Sequence, residues 1–115
     1  MASCSIATTV HRVIELLVAG DYLSLERIST GQSLTPGQLA EAVREYGRTL
    51  RMPPGEVLPS LIAIFPIQDA DPAAWSIDVD LWTEEEGHSD LTLQLELTES
   101  GRELCEVQIV DLHVL

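Results

Sequence analysis

The second half of the chain alternates apolar and polar residues with unusual regularity. Trp75, Ile77, Val79 and Leu81 share one face of a run in which Ser76, Asp78 and Asp80 share the other. Leu91, Leu93, Leu95 and Leu97 then alternate with Thr92, Gln94, Glu96 and Thr98. Side chains point to opposite sides of a strand in turn, so this period of two predicts strands with one buried and one wet face. A third run sets Cys105, Val107 and Ile109 inward, then changes phase so that Val110, Leu112 and Val114 become the apolar set. One residue of phase shift between two apolar halves predicts a β-bulge or sharp bend near Ile109–Asp111. The connectors Thr83–Asp90 and Thr98–Arg102 hold Gly among polar residues and predict antiparallel hairpins. A half-wet meander needs cover for its apolar face, and the first half of the chain must supply it.

That first half has helical spacing. Thr8 or Thr9 can cap a helix whose inward stripe is Val10, Val13, Ile14 and Leu17, with Gly20 as its stop. Asp21 can cap a short second helix carrying Tyr22, Leu25 and Ile28, which the string STGQS breaks. Thr35-Pro36-Gly37-Gln38 has the cap, the first-turn proline and the reciprocal glutamine of a capping box. Leu39, Ala42, Val43 and Tyr46 form the stripe of that third helix, and Gly47 is placed to end it. Met52-Pro53-Pro54-Gly55 cannot continue a helix. Leu61–Phe65 reads as a short strand that must lie at an edge or end at Pro66, and QDADPAA as a turn-rich loop.

The 115 residues suffice for one domain with a single core. Its helical part covers about residues 8–50 and its sheet part about 57–115. No apolar run approaches the roughly 20 residues of a membrane span. The start of the chain lacks the pattern of a secretory signal, so a cytoplasmic protein is expected. Cys4 and Cys105 do not make a disulfide framework, and Cys105 reads as a small buried hydrophobe. The net charge is −13 and every cation is arginine. Five arginines and five acids balance over residues 1–52, whereas residues 53–115 set fourteen acids against Arg102 alone. A surface of that sign repels phosphate backbones and anionic lipid, so neither nucleic acid nor membrane is an expected partner. A basic protein or a metal cation is electrostatically permitted.

Helices followed by a curved antiparallel meander with an apolar last strand resemble the nuclear transport factor two-like, or cystatin-like, cone. The strings EYGRTL with PP soon after, WSIDVDLWTEEEGHSDLTLQLEL and the terminal DLHVL are similar to an uncharacterised bacterial family in that group. The resemblance spans nearly the whole chain and implies an α+β fold, N-terminal helices packed on a curved antiparallel sheet. The wider group includes enzymes, ligand binders and assembly domains, so the resemblance implies no activity by itself.

Candidate chemistry is correspondingly sparse. The inward faces hold Leu, Ile, Val and Trp, with no acid or His, and no nucleophile motif surrounds Ser76 or Ser89. No catalytic residue and no cofactor is assigned. Asp111 and His113 share a strand face and could orient one another, although that face reads as solvent. Glu84, Glu85, Glu86, His88 and Asp90 crowd one turn without the spacing of a calcium or zinc site, so a solvated loop is expected rather than a metal site. Asp78, Asp80, Gln94, Glu96, Glu106 and Gln108 merge into one acidic face, with Trp82 beside them on the polar side. Facing like charges cost stability unless a basic partner relieves them, which predicts a non-enzymatic interaction domain of the kind that neutralises a basic toxin. The alternative is a small-ligand pocket or weak enzyme between helices and sheet, around Tyr22, Tyr46, Phe65 and Trp75. A homodimer is open through the last strand or a helix face, whereas the outer sheet face would press acid against acid.

Overall fold

The capping signals set the helical half. In the computed structural model, which describes residues 3–29 and 34–114, helix α1 (Ile6–Ala19) precedes α2 (Tyr22–Ile28) and α3 (Pro36–Tyr46). Thr35 accepts from the Gln38 backbone while Gln38 returns a bond to the Thr35 backbone, the reciprocal box read from the sequence. Asp21 caps α2, and Gly20 and Gly47 end α1 and α3 in the left-handed conformation. The cap of α1 is Ser5, not Thr8 or Thr9: its Oγ accepts from the Thr8 backbone N–H at 3.1 Å. Thr9 is buried one turn later and works across the fold, its Oγ1 donating to Ser5 O and accepting from Cys105 N–H. The break expected at STGQS lies, beyond Ser29, outside the described residues.

Five strands follow, β1 (Leu50–Arg51), β2 (Ile62–Pro66), β3 (Ala74–Thr83), β4 (Gly87–Thr98) and β5 (Glu106–Val114). All pair antiparallel, in the order β1-β3-β4-β5, and β2 lies along the opposite end of the β3 edge that β1 occupies. The strand expected at Leu61–Phe65 is β2, and it is both an edge strand and terminated by Pro66. The β3–β4 connection is tighter than Thr83–Asp90, because the strands continue to Thr83 and resume at Gly87. Gly87 has a φ of 71°, a left-handed backbone that a side-chain-bearing residue adopts only with strain, so glycine suits this turn.

Two bulges shape the sheet. The register passes from Gln94↔Asp111 to Leu95↔Ile109, leaving Val110 as one extra residue where the phase shift predicted it. A second irregularity was not anticipated. Asp80 pairs with Thr92 and Trp82 with His88, so Ser89–Leu91 all stand opposite Leu81. The Ser89 hydroxyl closes that gap, donating to Leu81 O and accepting from Leu91 N–H.

The inner face of β3, β4 and β5 packs against the helices in one cluster. Ile77, Val79, Leu93, Leu95 and Leu97 meet Val10, Val13, Ile14, Leu17, Leu25 and Leu39, all almost wholly buried. Each such side chain contributes roughly 1.5–3 kcal/mol over an exposed one.

Cys4 and Cys105 are joined by a disulfide, which corrects the expectation of two independent cysteines. Cys105 is indeed buried, but its neighbour is the start of α1. The entry to α1 runs beside the β4–β5 connection, where Ser5 N–H donates to Glu103 O at 2.8 Å. The bond spans a sequence separation of 101 residues, which spacing along the chain does not reveal. Closing so long a loop in the unfolded chain stabilises a fold by about 2–4 kcal/mol. The C4S/C105S variant, or reduction of the native protein, is expected to lower Tm by on the order of 10 °C at this size. Thermal melts with and without reductant test this, beside intact mass, and two free thiols in the oxidised protein would refute the pairing.

Candidate functional site

The outer face of the sheet is built by register. One row across the strands reads Asp78, Gln94, Asp111; the next reads Ser76, Glu96, Gln108; the next Ala74, Thr98, Glu106. On the other side of the Asp78 row come Asp80, Thr92, His113, then Trp82 and His88. All six outer positions expected from the sequence therefore lie on one surface. Every helical core residue joins the inner cluster, while Asp78, Asp80, Trp82, Gln94, Glu96 and Gln108 stay half-exposed.

No acid stands directly opposite another acid. Gln94 separates Asp78 from Asp111, and Glu96 lies between Ser76 and Gln108. The cross-strand repulsion expected from the sequence is thus relieved within the sheet, because neutral side chains occupy the facing positions. Two carboxylates are also committed locally. Asp80 contacts His88 Nε2 at 2.8 Å and accepts from Thr92 Oγ1 at 3.2 Å. Asp111 accepts from Leu112 N–H and lies 3.1 Å from His113 Nδ1, which brings the expected Asp111–His113 pair together. Among the described residues, the side-chain carboxylates of Asp78, Glu96 and Glu106 have neither a hydrogen-bond partner nor a counter-ion. They occupy successive rows on successive strands, so they form a diagonal across β3, β4 and β5. Diagonal neighbours on a sheet are about 7–8 Å apart.

Trp82 stands apart from this diagonal, at the turn end of β3, with its ring over Gly87. It packs the hairpin turn. The acidic turn beside it is exposed to solvent, as the sequence led one to expect, yet each of its glutamates has a partner. Glu84 pairs with Arg51 at 3.2 Å, Glu85 accepts from Thr49 N–H and Oγ1, and Glu86 accepts from Tyr46 OH at 2.7 Å. Three successive acids thereby fasten the β3–β4 turn to the exit of α3 and to β1. Among the described residues no group of three or more His, Cys, Asp or Glu is placed to hold a metal.

The four residues expected around a pocket do not converge. Phe65 pairs opposite Ser76, on the outer side of the sheet, and is 53 % exposed. Tyr46 is bonded at the β3–β4 turn, whereas Trp75 is the second residue of the ten-residue β3, near its other end. At about 3.3 Å per residue, the strand from Trp75 to Thr83 is about 26 Å long. Tyr46 lines a shallow groove of about 490 Å³ between α3 and the end of β5, while Tyr22 and Trp75 pack at the margin of the core. A deeper cleft of about 510 Å³ opens elsewhere, between α1, α2 and the start of β5. Sequence reasoning missed it because its walls come from three distant segments; the only signal was that all cations are arginine.

Two carboxylates, Glu99 half-buried and Glu85 exposed, tie separate segments of the fold together. Glu99 accepts from Cys4 N–H and Gly101 N–H, and Glu85 accepts from Thr49. The Gly101 and Cys4 amides hold the Glu99 carboxyl below its ordinary value of 4.5, and the Thr49 amide does the same for Glu85. Both groups ionise more readily folded than unfolded. Their contribution is therefore complete above about 4.5 and is lost as pH falls through the lower folded values. An E85Q/E99Q variant is expected to melt below the native protein at neutral pH, with the gap closing as pH approaches 3. Relief of general acid repulsion at low pH affects both proteins alike, so a gap that stays constant across the melts would refute the assignment.

A family model described as a domain of unknown function, DUF7668, matches residues 14–115. No curated protein and no solved structure matches the chain.

Proposed function

Since the chain belongs to the DUF7668 family, whose description assigns no activity, we propose its role from its own surface: it is a non-enzymatic interaction domain that receives a basic protein on the outer sheet face. The observation that carries this is the diagonal of three carboxylates, Asp78, Glu96 and Glu106, without internal counter-ions. Asp80 and Asp111 already have local contacts, Asp80 with His88 and Thr92, and Asp111 with the Leu112 amide and the neighbouring His113. The remaining three offer a row onto which arginines or lysines of a partner can dock, and their field speeds encounter. Because the sheet relieves its own repulsion, the domain is stable alone and the partner is reversible. An inhibitor of the immunity type, blocking a basic protein by covering its cationic surface, fits these properties.

Helices preceding a bulged antiparallel meander support reading the fold as the nuclear transport factor two-like cone, which adds no activity to the proposal. A cytoplasmic location, the expectation from sequence, carries a condition: a reducing cytosol would hold Cys4 and Cys105 as thiols, whereas an oxidising compartment keeps them joined.

The test is co-purification from the native source of the natural chain and of D78N/E96Q/E106Q. A basic polypeptide is expected to accompany the natural chain and to dissociate as salt rises. The neutral variant should fold as well and bind it roughly ten- to hundredfold more weakly, at up to about 1 kcal/mol per exposed pair. An acidic partner, or equal retention by the variant, would overturn the proposal.

A further inference from the structure

Three of the chain's six cations converge on one concavity. Arg12 of α1, Arg27 of α2 and Arg102 of the β4–β5 connection all line the cleft of about 510 Å³. Glu103 and Glu106 line it too, so its wall carries one more cation than anion in a chain whose net charge is −13. Arg12 is engaged with Glu15 at 3.4 Å. Among the described residues neither Arg27 nor Arg102 has a carboxylate within ion-pair distance. Nineteen acids offer every arginine a surplus of partners. Arg48 likewise forms no ion pair among the described residues but stands just past α3, outside the cleft. What sets Arg27 and Arg102 apart is that two unpaired guanidinium groups share one concavity, the character of a receptor for an external anion.

The cleft is also braced. Its β-side wall is fastened to α1 by the Cys4–Cys105 disulfide, by Ser5 N–H donating to Glu103 O, and by Cys105 N–H donating to Thr9 Oγ1 at 2.9 Å. Its α2 side is joined to β5 by the bridge between Ser29 and Val107. A wall held in place before binding loses little freedom when a ligand arrives. Beside the arginines lie Ile28, half-buried, and Leu104, exposed.

From this geometry we propose that the cleft binds a small organic anion, a carboxylate or phosphate head carried on an apolar body. Arg27 and Arg102 take the head, since a guanidinium matches both groups with paired N–H donors. Ile28 and Leu104 take the body. The volume is in the range of small-ligand sites. The cleft borders the acidic sheet face at Glu106, which belongs to both, but anion binding by Arg27 and Arg102 does not depend on the partner proposed for that face.

The experiment is titration of the intact, oxidised protein, followed by backbone amide NMR shifts, with octanoate, octyl phosphate, inorganic phosphate and octyltrimethylammonium. At least one octyl anion is expected to give saturable shifts at Ile28 and Glu103–Val107, and whichever head binds tighter identifies the source of the anion. R27Q/R102Q should weaken that binding at least tenfold without lowering Tm, both side chains being exposed, whereas R44Q on α3 should leave it unchanged. Absence of saturable shifts with all three anions, equal binding of the ammonium, or an unaltered affinity in R27Q/R102Q would overturn the proposal. Inorganic phosphate binding as tightly as octyl phosphate would overturn the role given to the apolar wall.

Discussion

The fold depends on one contact, the apolar inner face of β3, β4 and β5 against α1. Val10, Val13, Ile14 and Leu17 present a single stripe, and Ile77, Val79, Leu93, Leu95 and Leu97 present the matching surface. Water is excluded from both, and that burial supplies the free energy which orders the rest. Strand side chains alternate, so burying one face commits every intervening residue to the other. The acidic outer face is thus a consequence of the core: Asp78 and Glu96 are exposed because Ile77, Val79, Leu95 and Leu97 are not.

Register then decides what the outer face can do. The pairing which sets leucine against valine inside sets aspartate against glutamine, and glutamate against serine and glutamine, outside. Composition suggests a surface in tension with itself, but the pairing places a neutral residue opposite each acid. The charge that remains available is a short diagonal rather than a uniform field. Its opposite number is the arginine cleft, where the helical half of the chain contributes two of three cations. The molecule is electrically divided, with a negative sheet surface and a small positive recess at one edge.

How far the sequence was legible follows from parity and distance. One extra residue at Val110 inverts the alternation of β5 and is visible in the pattern. The irregularity at Ser89–Leu91 inserts two residues, which restores the phase, so Leu91 and Leu93 continue the alternation as if nothing had intervened. The capping box at Thr35 and the stops at Gly20 and Gly47 were readable because each is completed within one helical turn. Features assembled from remote segments were not. Glu84, Glu85 and Glu86 look alike as a run, yet each reaches a different partner 33 to 40 residues away. The cleft joins α1, α2 and the β4–β5 connection, and no local pattern records that meeting. Trp82 reads as an exposed aromatic among acids, but its ring lies against the turn at Gly87.

The bond between Cys4 and Cys105 closes every helix and the first four strands into one covalent ring, with β5 following it. A ring has no natural beginning. A single backbone cut anywhere between those residues would leave one linked molecule whose fragments stay at fixed effective concentration, and the edge loop between β2 and β3 is the exposed place for such a cut. A cut there would leave the helices, β1 and β2 in one piece and β3, β4 and β5 in the other, with this bond as the covalent link between them.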